Sequence, residues 1–170
     1  MAKYTKVIKK ILKWEGGYVS DPADTDGGCT MKGVTINTYR KFFGKNKCCK
    51  DLKTITQAEW DYIFKTGYWD KLRADEIENQ SIANLLVDWC WTSGRYGIVL
   101  PQRVLGVKDD GVVGKKTLAA INDYPDQKEL FWKLWIRRKR HFEDIAKNGK
   151  EKFLKGWLRR LDDFIYEEED

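Results

Sequence analysis

Glu15 stands where an apolar helical stripe meets two glycines, and a carboxyl group in that position could act as an acid catalyst. The stripe repeats every three or four residues, the spacing of one buried helix face, and consists of Tyr4, Val7, Ile8, Ile11 and Leu12. Four residues further on, Glu15 falls on the same face, and Gly16 and Gly17 are expected to end the helix in the left-handed conformation of a C-cap. A carboxyl group held among apolar side chains tends to keep its proton, as a general acid requires. The same pattern also fits a boundary glutamate whose carboxylate reaches solvent.

A turn-rich segment after Glu15 supplies two further groups that suit sugar hydrolysis. Residues 16–35 have no helical period and contain five Gly, three Asp and one Pro, which favours a small irregular β-hairpin. Asp24 lies nine residues after Glu15, and Thr30 lies six residues after Asp24. A folded-back loop could bring both towards Glu15. Glycoside hydrolysis needs one protonated acid and a second group that stabilises positive charge or activates water.

The motifs of this segment resemble the signature of glycoside hydrolase family 108. They read Glu15-Gly-Gly-Tyr18, Asp21-Pro-Ala-Asp24, Gly27-Gly-Cys-Thr30 and Gly33-Val-Thr35. The resemblance continues through later motifs, namely Tyr68-Trp69-Asp70, Asp88 to Gly94, Leu105-Gly-Val, Asp110 to Gly114, Thr117-Leu118 and Phe153 to Arg160. Thr92 departs from the family pattern, which has Asn-Ser-Gly where this chain has Thr-Ser-Gly. Nearly the whole chain is covered.

The resemblance implies a lysozyme-like N-acetylmuramidase of a kind common in phages and prophages, some relatives of which are labelled secretion activators. It implies that Glu15 is the general acid that cleaves the β-1,4 bond between N-acetylmuramic acid and N-acetylglucosamine. The spacing of Glu15, Asp24 and Thr30 is also similar to the catalytic Glu/Asp/Thr set of phage-type lysozymes. The later motifs look like a C-terminal predicted peptidoglycan-binding segment. No metal and no organic cofactor is implied.

Four further residues are candidates for substrate binding. Tyr18, Tyr68 and Trp69 are expected to contact sugar, because aromatic faces stack on the C–H faces of pyranose rings. Asp88 lies in the very apolar segment 82–91, one turn after Asn84, and both polar groups need partners in the interior. A structural role and a place at the floor of the cleft both remain open for Asp88.

The sequence leaves two other classes of function open, and the charge distribution bears on the first of them. The net charge is +6, and residues 128–160 contain twelve Lys and Arg against four Asp and Glu. Such a surface could attract nucleic acid or anionic lipid, although the sequence has no nucleic-acid-binding motif, and a solvated helix face has the same composition. We therefore expect neither a nucleic-acid partner nor stable membrane insertion. The other alternative is a catalytically silent peptidoglycan-binding component of a secretion system or phage particle.

The four cysteines and the N-terminal residues bear on where the protein acts. Cys29, Cys48, Cys49 and Cys90 form neither a zinc pattern nor a convincing disulfide framework, and Cys29 is interpreted as a small buried filler. Five lysines are spread through residues 1–14, which leaves no apolar signal core. We expect synthesis in the cytoplasm without a signal peptide and action at the cell wall or periplasm after release by a holin or secretion apparatus. A monomer is expected.

The sequence predicts a mainly α, lysozyme-like fold with a short β-hairpin after the first helix. Further helices are expected at 35–43, from 57, at 82–91, from 117, at 127–146 and at 151–166, with a polar loop at 45–53 and an uncertain boundary near Pro101. The expected organisation is a lysozyme-like catalytic region at 1–92 and a C-terminal helical peptidoglycan-binding region at 93–170, packed on the first.

Overall fold

The computed structural model describes residues 1–20 and 28–168, so that Asp24 of the predicted catalytic set lies outside the described residues. Helices dominate the described part of the chain, with a short antiparallel sheet near the start. The helices are α1 (Tyr4–Trp14), α2 (Ile36–Phe43), α3 (Cys49–Lys53), α4 (Gln57–Phe64), α5 (Gln80–Ser93), α6 (Tyr96–Val104), α7 (Lys115–Asn122), α8 (Gln127–Ala146) and α9 (Glu151–Asp162). The predicted mainly α, lysozyme-like fold is confirmed.

The first helix ends differently from the prediction. The stripe faces the core as expected, with Val7 and Ile11 fully buried, but the helix stops at Trp14. Glu15 has an extended backbone and its N–H donates to the carbonyl of Leu12. Neither Gly16 nor Gly17 has a positive φ, so the expectation of a left-handed glycine cap is wrong. The extended backbone at Glu15 already leads the chain towards the first strand.

The β-hairpin predicted after the first helix is present as three short strands. These are β1 (Val19–Ser20), β2 (Cys29–Met31) and β3 (Val34–Thr35), joined antiparallel in the order β1-β2-β3. Val19 and Thr35 both pair with Thr30 of the central strand. Thr35 also caps α2, because its side chain accepts a hydrogen bond from the N–H of Thr38.

A disulfide bond corrects the prediction for the cysteines. Cys29 of β2 is bonded to Cys49 of α3, while Cys48 is exposed and Cys90 is buried with a free thiol. Burial raises the pKa of the Cys90 thiol to about 11, although Lys71 opposes the shift. Residues 49–53 form a helix rather than a loop, because the Asp51 side chain accepts from the Cys48 N–H and caps the helix start.

The buried centre of the fold is α5, whose residues from Gln80 to Cys90 are all buried. Helix α6 lies close against α5 at Gly97, where any side chain would overlap the backbone of Trp89 and Cys90. Pro101 lies inside α6, and its ring is accommodated within this short helix. The capping box predicted at Thr56 and Glu59 is confirmed at the start of α4.

The C-terminal third consists of α7, the long helix α8, and α9. Helix α8 begins after its Asp126 cap and ends at Ala146, as predicted, whereas α9 ends four residues before the predicted Tyr166. The chain then continues along the molecule with Phe164 buried, and the N–H of Glu167 donates to the Ser81 hydroxyl. Among the described residues, no helix combines the length and apolar character needed to cross a membrane.

Candidate functional site

Glu15 is held at the wall of a cleft by two hydrogen-bond donors from distant parts of the chain. Its side chain is only 8% exposed. The indole N–H of Trp91 donates to Oε1 at 2.7 Å, and Nη1 of Arg160 donates to the same oxygen at 2.9 Å. Because both donors bind Oε1, they fix the orientation of the carboxyl group. Neither of them donates to Oε2.

The turn between β2 and β3 brings the backbone against Oε2 of Glu15. Lys32 and Gly33 both have positive φ, and the N–H of Lys32 donates to the carbonyl of Gly16 at 3.1 Å. A Cβ on Gly33 would overlap Oε2 of Glu15 and would lie 2.7 Å from Cζ2 of Trp91. Only glycine is compatible with both the backbone conformation and this close contact.

Trp91 is itself held by an aromatic cluster. Its ring lies 5.6 Å from the ring of Trp60, 5.2 Å from Phe64 and 4.7 Å from Tyr68, measured between centroids. The Trp60 indole N–H donates to the carbonyl of Lys32, which ties the cluster to the turn. Burial, followed by the nearby Cys90 and Glu15, raises the pKa of the Tyr68 hydroxyl. The predicted residue Tyr68 is therefore close to the predicted acid.

Arg160 links Glu15 to a buried ion-pair cluster. Its Nε and Nη2 donate to Asp88, the latter at 2.6 Å, while Nη1 reaches Glu15. Arg138, fully buried, donates through Nη2 to the other side of Asp88 and to Thr92. Burial lowers the pKa of Arg138 despite Asp88, whereas at Arg160 the carboxylates of Asp88 and Glu15 outweigh burial and raise the pKa.

The cleft beside Glu15 has a volume of about 440 Å³ and two chemically different walls. The first wall comes from the N-terminal region and consists of Glu15, Gly33, Trp91, Thr92 and Ser93. The second wall comes from α8, α9 and the segment between them, and consists of Phe142, Ile145, Lys150, Trp157 and Arg160. The predicted catalytic region and the predicted C-terminal region thus meet at this cleft.

Two other predicted residues, Thr30 and Tyr18, lie in the hairpin region, and neither is among the described residues that line the cleft. Thr30 is in the central strand, three residues before Gly33, and is partly buried. Tyr18 immediately precedes β1, and the ammonium group of Lys53 lies 5.4 Å from the centre of its ring. The structure brings Thr30, Tyr18 and Glu15 into one part of the fold, while Asp24 belongs to the segment outside the described residues.

The prediction that Trp69 contacts sugar needs correction, and of the two roles left open for Asp88 the structure supports the structural one. Trp69 is 0% exposed, and its indole N–H donates to Asp75 at 2.9 Å. Asp88 is also 0% exposed, and both of its oxygens are engaged by arginine side chains. Trp69 ends the π-helical segment Lys65–Trp69 and Asp88 lies in α5, and both side chains are buried in the core.

Sequence reasoning missed the roles of Trp91, Gly33, Trp157 and Arg160. A signal for Arg160 was present, because it lies on an apolar stripe of α9 between Trp157 and Leu161, as Glu15 extends the stripe of α1. A buried charged residue needs a partner of opposite charge. The cluster contains four such residues, Glu15, Asp88, Arg138 and Arg160, but their spacing along the chain does not show that they meet.

Comparisons with known proteins agree with this architecture. The family model described as Glycosyl hydrolase 108 matches residues 8–94, and the model described as Predicted Peptidoglycan domain matches residues 96–162. A solved structure titled "Structure of Brucella abortus SagA" is similar with a TM-score of 0.75 and 26% sequence identity over 94% of each chain. No curated protein sequence matches. Because the first model matches more than half of the chain, this protein belongs to glycosyl hydrolase family 108 and carries the C-terminal peptidoglycan segment found with it.

Proposed function

We propose that this protein is a peptidoglycan hydrolase that cleaves the β-1,4 bond between N-acetylmuramic acid and N-acetylglucosamine, with Glu15 as the general acid. The observation that carries the proposal is the placement of the Glu15 carboxyl group. It is nearly buried, it faces a cleft of about 440 Å³, and its orientation is fixed by Trp91 and Arg160. Membership of a glycosyl hydrolase family and the peptidoglycan segment support the same substrate class.

The geometry assigns different tasks to the two oxygens of Glu15. Oε1 accepts two N–H donors, so the proton that a general acid transfers belongs on Oε2. In the proposed reaction, Oε2 gives its proton to the glycosidic oxygen as the bond to the anomeric carbon breaks. Positive charge then develops on the sugar ring, and Asp24 either stabilises this charge or activates water, with Thr30 orienting the water.

The second wall of the cleft is suited to binding a glycan strand. Trp157 presents aromatic surface to the cleft and packs on the buried ring of Phe142 at a ring-centroid separation of 5.6 Å. Aromatic faces stack on the apolar faces of pyranose rings, and Lys150 adds a positive charge that suits the carboxylates of stem peptides. Tyr18 and Tyr68 remain proposed sugar contacts on the side of the first wall.

The function is tested with the variant Glu15→Gln, which keeps the shape of the side chain but cannot supply the proton. Purified peptidoglycan is digested, and the released fragments are identified by mass spectrometry. We expect the wild-type protein to release muropeptides with N-acetylmuramic acid at the reducing end and the variant to be slower by about 100-fold or more. Thermal unfolding of both proteins checks that the variant is folded.

Two results would contradict the proposal. Equal rates for wild type and Glu15→Gln would remove Glu15 from the reaction. Sedimentation of the wild-type protein with insoluble peptidoglycan, with no reducing ends released, would instead support the catalytically silent binding component of a phage particle or secretion system.

We further propose that the protein acts at the cell wall, after release by a holin or a secretion apparatus, as a monomer. The disulfide between Cys29 and Cys49 supports this location, because such bonds persist in oxidising compartments outside the cytoplasm. Quantifying free thiols in protein recovered from the cytoplasm and from outside it tests this proposal. Two free thiols are expected in the released protein and four in the cytoplasmic protein.

A further inference from the structure

Arg160 contacts two carboxylates with separate edges of one guanidinium group. Nε and Nη2 are directed at Asp88, whereas Nη1 alone is directed at Glu15 at 2.9 Å. Its side chain is 12% exposed, so these contacts are made largely out of water. The arginine lies on α9, 145 positions after Glu15, within the segment that matches the predicted peptidoglycan domain.

Asp88 fixes the direction in which Arg160 points. The guanidinium group is planar, so a two-pronged contact with one carboxylate determines where its remaining N–H groups are aimed. Asp88 is in turn held from its other side by Arg138, and neither of these two side chains has any exposed area. The rings of Phe142 and Phe164 cover the guanidinium group of Arg138 at 5.2 and 5.6 Å. The support for Arg160 is therefore rigid and buried.

We propose that Arg160 is a positioning residue for glycosidic bond cleavage. It holds Oε1 so that Oε2 of Glu15 stays beside Gly33 and faces the cleft. Residues 96–162 then complete the active site, in addition to any part that they play in attaching the protein to the wall. This inference rests on the proposed role of Glu15 as the general acid.

The contact with Glu15 is separable from the contacts that support the fold. Asp88 retains Arg138 when Arg160 is changed, so the buried carboxylate keeps a cationic partner. Glu15, by contrast, retains only the indole N–H of Trp91 on Oε1. The terminal torsion of a glutamate is broad, so one donor leaves the plane of the carboxyl group free to rotate. Catalysis should suffer more than substrate binding.

The test compares Arg160→Gln and Arg160→Ala with wild type on soluble peptidoglycan fragments and on insoluble peptidoglycan. We expect kcat to fall by about 10- to 100-fold, KM to change less than threefold, and sedimentation with insoluble peptidoglycan to be retained. Added ethylguanidinium, which can occupy the space vacated in Arg160→Ala, should restore part of kcat. Circular dichroism establishes that each variant is folded, and Gln preserves most of the side-chain volume if Ala does not fold.

Arg159→Ala is the matched control, because Arg159 is exposed on the same helix and does not line the cleft. Its kcat should equal that of wild type. A kcat within threefold of wild type in folded Arg160→Gln would overturn the inference, as would a loss confined to KM or a loss in Arg160→Ala that ethylguanidinium does not relieve. Failure of the proposed function is distinguishable, because wild type would then release no reducing ends, or Glu15→Gln would be as active as wild type.

Discussion

The two walls of the cleft are held in place by different means. The first wall is fixed by a tight turn at Lys32 and Gly33, an aromatic cluster around Trp91 and the disulfide between β2 and α3. The second wall is formed by amphipathic helices rich in Lys and Arg, and it is joined to the first by one buried cluster around Asp88. The wall that presents Glu15 is thus held by a tight turn, ring packing and a covalent bond, whereas the wall that faces it depends on a few buried ion pairs.

The largest effect is expected from breaking the link between the walls with Asp88→Asn. The change leaves the buried guanidinium groups of Arg138 and Arg160 without their shared counter-charge. Loss of one partner from a buried ion pair lowers the free energy of unfolding by about 3–5 kcal/mol. For a chain of this length that lowers Tm by roughly 10 °C.

Differential scanning calorimetry measures this effect, and Asp109→Asn serves as its control. Asp109 pairs with Arg103 at 2.6 Å, but both side chains are largely exposed, so its Tm should change little. Equal shifts in the two variants would contradict the view that the Asp88 cluster joins the walls.

A second prediction concerns the local geometry of the first wall. Gly33→Ala places a methyl group against Oε2 of Glu15, so the carboxyl group must move. Misplacement of a catalytic group by about 1 Å can lower kcat roughly 100-fold, and we expect a loss of that size. Steady-state hydrolysis of soluble peptidoglycan fragments measures it.

Gly106→Ala is the control that distinguishes the effect of the contact with Glu15 from the effect of backbone strain. Gly106 has a φ of +68°, close to the +76° of Gly33, but a Cβ there would meet nothing within 4 Å. Both variants should lose stability, and only Gly33→Ala should lose kcat. A parallel loss of kcat in both would attribute the effect to strain alone.

The smallest effect is expected from the aromatic surface of the second wall. Trp157→Ala removes a ring that lines the cleft and packs on Phe142 and Phe153, so substrate and transition state should lose the same contact. KM should rise about tenfold, equivalent to ~1.4 kcal/mol, with kcat little changed. Trp132→Ala, a 40% exposed tryptophan of α8 outside the cleft, should leave KM unchanged. A fall in kcat alone would show that Trp157 acts on the acid and not on the sugar.

Local signals in the sequence predicted the elements of the fold well. The α8 boundaries follow from the Asp126 cap and the apolar period, and the box at Thr56 and Glu59 marks the start of α4. Errors arose where a local signal was weak or absent. The short helix α3 begins at a cysteine whose bond partner lies 20 residues away, and nothing in the spacing pairs Cys49 with Cys29.

The candidate site was only partly predictable, because the sequence signals its residues only where neighbouring positions carry the pattern. Glu15 could be identified from the end of its stripe, and Tyr68 from its motif, since both signals are contained in a few neighbouring residues. Trp69 follows Tyr68 directly in the same motif, yet its side chain points into the core. Adjacent residues on a helix face different directions, and only packing shows which of the two contacts Trp91 of the cleft wall.

The sequence by itself determined most of the helices, the turn after the first helix and a carboxyl group at a core-facing position, because hydrophobic period and turn chemistry act over a few residues. Tertiary structure alone decided that Glu15 meets Arg160, that Asp88 supports this arginine from within the core, and that the C-terminal helices form the opposite wall of the cleft. Contacts between residues so far apart depend on how whole helices pack, and the number of positions between two residues does not reveal that packing.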